Sequence, residues 1–357
     1  MKFGGSALKT FFVVALAVGA IVFAALNMRD RMRVPPIPDD GVVWVNGASG
    51  VTALEVRPES PASNAGIRQG HILRYIYFDG AWEEIHRPDD VKYYLDEMGI
   101  GGALVYQVQR FNALGVSQGL WEGDVKGIEP MPQPRGQTLY FALIGVVYLA
   151  IGLFVFLRQG RAPYGVHFFW ICLTAFLFYV LTPTFAPGAN GGWDGLDRAV
   201  YLVDKIAFVL GAPIFVHFCA VFPSKPEWLT RRKNALALLY VPAMAMIAVE
   251  MLLMFGERVL VDYLAPAREA LDTAAVVQFA AGIFVADALL FSSYFRARTP
   301  ALRLQLKWIM WGVGAAAFAY TAFYGVPYLL GRPVSPFFQV LAFGPLILVP
   351  LSFGYSI

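Results

Sequence analysis

Eight runs of roughly 20 mostly apolar residues decide what this chain can fold into: Thr10–Leu26, Leu139–Leu157, Tyr164–Ala186, Ala199–Phe222, Ala235–Phe255, Ala270–Phe295, Leu304–Leu330 and Phe337–Ile357. A bilayer core is about 30 Å thick and offers no partner to a free N–H or C=O, so runs of this length become spanning helices that satisfy their own backbone. Composition agrees, because 58% of the 357 residues are hydrophobic and only 15% charged, against about 25% charged in a soluble domain. The first run has the basic start and apolar middle of a signal peptide. It ends Ala24-Ala25-Leu26-Asn27-Met28 with no small-x-small cleavage site, so residues 1–28 are expected to stay as an anchor.

Charge divides the chain into three. Residues 1–28 carry +2, residues 29–135 carry 11 basic and 15 acidic side chains, and residues 136–357 carry +5. A soluble, mildly acidic unit (34–135) is expected between the anchor and a seven-span bundle (136–357), with no basic patch for nucleic acid. Counting Lys and Arg in the short loops puts twelve on the side of the N-terminus, among them Lys225, Arg231, Arg232, Lys233, Arg303 and Lys307, and five on the other. By the positive-inside rule both termini are then cytoplasmic and residues 29–135 lie outside, the arrangement of a multi-pass inner-membrane protein. Cys172 and Cys219 sit inside apolar runs and read as small core residues.

Proline-rich linkers, Val34-Pro35-Pro36-Ile37-Pro38 and Pro130-Met131-Pro132-Gln133-Pro134, bracket the outside unit. Within it, Val51–Val56, Ile72–Phe78 and Ala103–Val108 alternate as strands, and Asp79-Gly80 closes the second. Short helices are expected at Pro61–Ala65 and at Pro88–Met98, where Asp89 and Asp90 favour the first turn and Gly99 the stop.

The order Val51–Val56, Pro58-Glu59-Ser60-Pro61-Ala62 and Ala65-Gly66-Ile67-Arg68-Gln69-Gly70-His71-Ile72-Leu73 resembles the strand, "SPA" helix and "AGI..GD.I" turn of bacterial PDZ domains over residues 42–125. Together with the apolar runs, the resemblance makes the expected fold an α-helical polytopic membrane bundle carrying one α+β PDZ-like extracytoplasmic domain. It also implies binding of an extended peptide or protein segment as an added strand. Gly47, Ser49, Gly50, Val51 and Thr52 are the matching residues.

Catalytic chemistry finds no foothold. A PDZ domain on a membrane protein suggests an intramembrane metalloprotease, but no His-Glu-x-x-His occurs. Ser292, Ser293 and Ser352 lack a Gly-x-Ser-x-Gly setting. There is neither a Walker loop nor the repeat symmetry of a secondary transporter. No catalytic residue, metal ligand set or cofactor is therefore nominated. Among polar residues within spans, His167, His217, Glu250, Asp272, Gln278 and Asp287 are candidates by cost alone. Glu250 reads as a boundary residue and Asp204-Lys205 as a self-neutralising pair.

A second resemblance covers most of 136–357. His217-Phe218-Cys219-Ala220-Val221-Phe222-Pro223, Arg303-x-Gln305-x-Lys307-Trp308 and the terminal Pro350–Ile357 are similar to the "HF..VFP", "R.Q.KW" and "P.sfaYAI" segments of the multi-pass sensor regions of PDZ-containing bacterial sensor histidine kinases and related signalling proteins. In that family the last segment runs on into a cytoplasmic output domain. The resemblance implies a sensory input module seated in the lipid bilayer, a homodimer as sensor kinases generally are, with its output domain or partner elsewhere and no cofactor. His217, Pro223, Arg303 and Lys307 are the candidate sensor or interface positions. His217 lies about one turn from the interface, where an imidazole titrates. A membrane-anchored PDZ scaffold is the alternative, and a solute pathway at Asp287 the third.

Overall fold

A computed structural model describes residues 4–32, 37–47, 49–111, 117–130, 135–159, 163–181, 195–223, 229, 234–256, 261–332 and 334–356. The linker residues 34–36 and 131–134, Ala48, the basic residues Lys225 and Arg231–Lys233, and Ile357 lie outside them. The described residues divide into two units, residues 4–32 together with 135–356, and residues 37–130.

Helix α1 (Gly4–Arg31) opens the first unit. Its Ala17, Ala20 and Ala24 are buried with Leu149, Phe156, Phe169 and Leu173, the small-residue face that lets helices pack where lipid supplies no hydrophobic drive.

The second unit is a small antiparallel sheet. Its strands are β1 (Pro38–Asp39), β2 (Val42–Gly47), β3 (Gly50–Val56), β4 (Ile72–Phe78), β5 (Ala81–Glu84), β6 (Ala103–Phe111), β7 (Ser117–Lys126) and β8 (Glu129–Pro130). Two helices complete it, α2 (Pro61–Asn64) and α3 (Pro88–Met98). The main sheet runs β2-β3-β4-β6-β7, with β5 paired to β4 and β1 paired to β8 apart from it. Asp79 and Gly80 both take positive φ, 48° and 88°, the requirement of a tight hairpin between twisted strands. Ser60 caps α2, its Oγ accepting from the Ser63 N–H at 3.2 Å, and Asp90 caps α3, accepting from the His86 and Arg87 N–H groups. Ala62, Ile67, Leu73, Ile76, Val91, Leu95 and Tyr106 share one core. The three expected strands and both helices are present; β1, β2, β5, β7 and β8 are additional.

The chain returns to the first unit as α4 (Arg135–Gln159), α5 (Pro163–Val180), α6 (Gly195–Val221), α7 (Ala235–Leu238), α8 (Val241–Gly256), α9 (Val261–Arg296) and α10 (Pro300–Tyr320). A π turn at Thr321–Gly325 leads into α11 (Val326–Leu329), and α12 (Pro336–Phe343) joins α13 (Leu348–Ser356) through a 3-10 turn. Seven described helices are long and apolar enough to cross a membrane, and an eighth apolar helix is shorter, Tyr164–Val180. This is a multi-pass membrane protein. Backbones approach closely at glycines: a Cβ on Gly152 in α4 would stand 2.4 Å from the Cys172 Cβ in α5. Cys172 and Cys219 are buried and free.

Candidate functional site

In the sheet unit, the five residues expected to take a peptide form a hairpin and the start of a central strand. Gly47 pairs with Gly50 across the turn, Gly50 has φ of 128°, and the Thr52 hydroxyl donates to the Gly50 carbonyl at 3.0 Å. Ser49 is exposed and Val51 fully buried. Val51 and Thr52 pair with Asn46 and Val45 of β2 on one side and with Leu73 and Ile72 of β4 on the other. A peptide therefore finds no free edge at Val51 or Thr52. The open backbone belongs to β2, whose outer edge pairs with no strand among the described residues.

That edge is held from below by Asp40. Its carboxylate accepts from the Val42 N–H at 2.9 Å, the Trp44 indole at 3.0 Å and the Tyr106 hydroxyl at 2.9 Å. Burial pushes the Asp40 pKa above its ordinary 3.8, against the opposing pull of these three hydrogen bonds. Burial and the Asp40 charge also drive the Tyr106 phenol upward. Beside it, Arg57 bridges Asp39 at 2.7 Å and Glu129 at 3.1 Å, tying the β1-β8 pair to the end of β3. An edge strand fixed this firmly presents its unpaired N–H and C=O groups as a ready template.

In the helical unit, His217 lies in α6. Its Nδ1 stands 2.9 Å from the Tyr240 hydroxyl, which immediately precedes α8, and its ring centroid is 4.7 Å from that of His167 in α5. The two histidines, unrelated in the sequence, thus meet where α5, α6 and the α7–α8 link converge. Pro223 follows Phe222 just beyond α6, and Phe222 stacks on Phe218. The centre of this end of the unit is Phe353 of α13. It is fully buried, with ring centroids 5.9 Å from Phe168, 6.2 Å from Phe215, 5.2 Å from Phe218 and 5.7 Å from Phe222. Arg303 and Lys307 are not part of this cluster. They lie one turn apart on the exposed face of α10, and the Arg303 Nε donates to the Ala297 carbonyl at 3.0 Å.

A second polar group joins α6, α8 and α9. The Tyr201 hydroxyl donates to Glu250, and Lys205 pairs with Asp272. The Gln278 side chain donates to the Val209 carbonyl at 2.8 Å. Glu250 is thus a buried interhelical acceptor about one turn from the end of the apolar helix Leu236–Met254, and Lys205 is paired with Asp272 of α9 rather than with its neighbour Asp204. Sequence spacing could not supply either pairing, since the partners are 49 and 67 residues apart. The cavity beside them, of about 20 Å³, suits a water molecule and no metabolite. Among the described residues no group of three or more His, Cys, Asp or Glu side chains is placed to hold a metal ion. Comparisons with protein-family models, curated proteins and solved structures return no match.

Proposed function

We propose that this chain is a transmembrane sensory input module of a bacterial signalling protein. A PDZ-like extracytoplasmic domain takes an extended peptide or protein segment along the outer edge of β2. The helical bundle passes the change to α13, and through it to a cytoplasmic output domain or partner, within a homodimer in the inner membrane. The burial of Phe353 carries this reading. A last helix keyed by one aromatic ring into α5 and α6, beside the His167–His217 contact, cannot shift without repacking that cluster, and packed clusters are bistable rather than continuously deformable. Residues 37–130 lie in sequence between α1 and α4, both of which pack in the bundle, so strain in the domain has two covalent routes into it. The resemblance to PDZ-containing sensor kinases supports the same assignment.

Peptide display against the whole chain in nanodiscs tests the ligand half. Successive residues of a strand direct their N–H groups to opposite edges, so of Val45 and Asn46 one faces β3 and the other faces out. Proline at the outward position is expected to lower peptide affinity at least tenfold while the domain stays folded; proline at the inward position disrupts the sheet. Undiminished binding by a folded variant at both positions would remove β2 as the site. Peptide binding that leaves α13 unmoved would favour the scaffold alternative.

A further inference from the structure

A groove on the outside of the helical unit is not used by the peptide reading. It lies between α10 and α13 and has a volume of about 520 Å³. Trp308 and Trp311 form one wall, Leu348 and Leu351 the other, and Gly312 against Ser352 the floor. The floor exists because Gly312 has no side chain: a Cβ there would lie 2.8 Å from the Ser352 Oγ and 3.1 Å from the Leu348 carbonyl. The backbones meet closely, and the large residues on either side flare away from the seam.

Two cations precede the tryptophan wall on α10, Lys307 next to Trp308 in sequence and Arg303 one turn earlier. Arg303, Lys307 and Trp311 follow one another at i, i+4 and i+8, so they share a face. Both basic side chains are exposed, and among the described residues neither the Arg303 η nitrogens nor the Lys307 Nζ has a partner. Among the described residues no carboxylate pairs with either side chain. From Ala288 to Ile357 there is no Asp or Glu, against five basic residues, Arg296, Arg298, Arg303, Lys307 and Arg332.

We propose that this groove binds an anionic glycerophospholipid, its phosphate held by Arg303 and Lys307 and one acyl chain lying along the tryptophan wall. An apolar cleft that continues from a pair of cations fits the two chemistries of such a lipid, and tryptophan favours the headgroup level. A free anion would satisfy only the cations. A second copy packed on this face by two-fold symmetry would bring the same cations and no carboxylate. Because the lipid lies against α13, the composition of the membrane would bias the helix through which we propose the signal leaves.

The test uses the full chain reconstituted in phosphatidylcholine vesicles, into which brominated phosphatidylglycerol or brominated phosphatidylcholine is titrated while tryptophan quenching is read. Subtracting a W308F/W311F variant isolates the signal of the groove. Each basic residue near anionic lipid contributes about a factor of five, so the expected preference for phosphatidylglycerol is about 10- to 30-fold. It should fall below about twofold in R303Q/K307Q. High salt should lower it severalfold in the unaltered chain, which requires no variant to fold. The proposal is overturned if the preference survives R303Q/K307Q or high salt, or if it is the same size in W308F/W311F. It is also overturned if Trp311→Cys cross-links efficiently to its own copy in dilute vesicles, which would assign the groove to a second subunit.

Discussion

Phe353→Ala is expected to loosen α13 and to separate it from the rest of the bundle without unfolding the sheet unit. Transfer between lipid and an apolar interior contributes little in a membrane, so the loss is that of packing. A void on the order of 100 Å³ at about 24 cal/mol per Å³ costs roughly 2 kcal/mol, to which the lost ring–ring contacts add. The chain carries its own probe, because Cys219 is buried next to Phe218, which touches Phe353. Maleimide labelling of Cys219 in nanodiscs should begin at a lower temperature in Phe353→Ala and at an intermediate one in Phe353→Leu. Labelling curves that coincide with the unaltered chain would show that Phe353 does not lock the helix.

Asp40→Ala should have the largest effect in the sheet unit. The substitution strips an acceptor from the Trp44 indole, the fully buried Tyr106 hydroxyl and the Val42 N–H. Buried donors left unmatched cost about 1–3 kcal/mol each, so the sum of roughly 3–5 kcal/mol rivals the whole stability of a domain this size. Hydrogen exchange over residues 37–130 of the intact chain should approach unprotected rates; protection within a few tenths of a kcal/mol of the unaltered chain would refute it. The carboxyl also sets a pH dependence. Its pKa is raised in the folded state by burial, so the folded form binds the proton more tightly. Its stabilising contribution is complete below the ordinary value of 3.8 and is lost as pH rises through the folded value. Asp40→Asn should abolish that part of the slope, seen as the difference between the two proteins' exchange profiles in mild acid.

Much of this architecture is legible in the sequence because it follows from periodicity and from local chemistry. Apolar runs marked the helices, and Ser60, Asp79-Gly80 and Gly99 marked caps, a hairpin and a stop. Strand β2 escaped because Val42-Val43-Trp44-Val45 does not alternate, and its exposed side is set by a bulge between Val43 and Trp44. The expected peptide residues Gly47, Ser49, Gly50, Val51 and Thr52 follow from motif order alone, which does not say which strand is the edge; Val51 and Thr52 prove to be paired on both sides, and the free edge is that of β2. In the bundle, the pairings Tyr201–Glu250, Lys205–Asp272 and His167–His217 depend on helix packing, which no local pattern encodes. Phe353 lay within a recognised terminal segment, yet nothing in that segment distinguishes a ring facing lipid from one facing four phenylalanines.

The central claim, that a ligand on β2 moves α13, is tested most directly by a spin-label distance within the bundle. Tyr355 and Leu238 are both highly exposed and accept labels as cysteines in a background where Cys172 and Cys219 are alanine. In nanodiscs, a peptide selected by display should shift the Leu238–Tyr355 distance distribution, and the shift should vanish with the outward β2 proline and shrink with Phe353→Ala. Saturating peptide with an unchanged distribution would contradict the account.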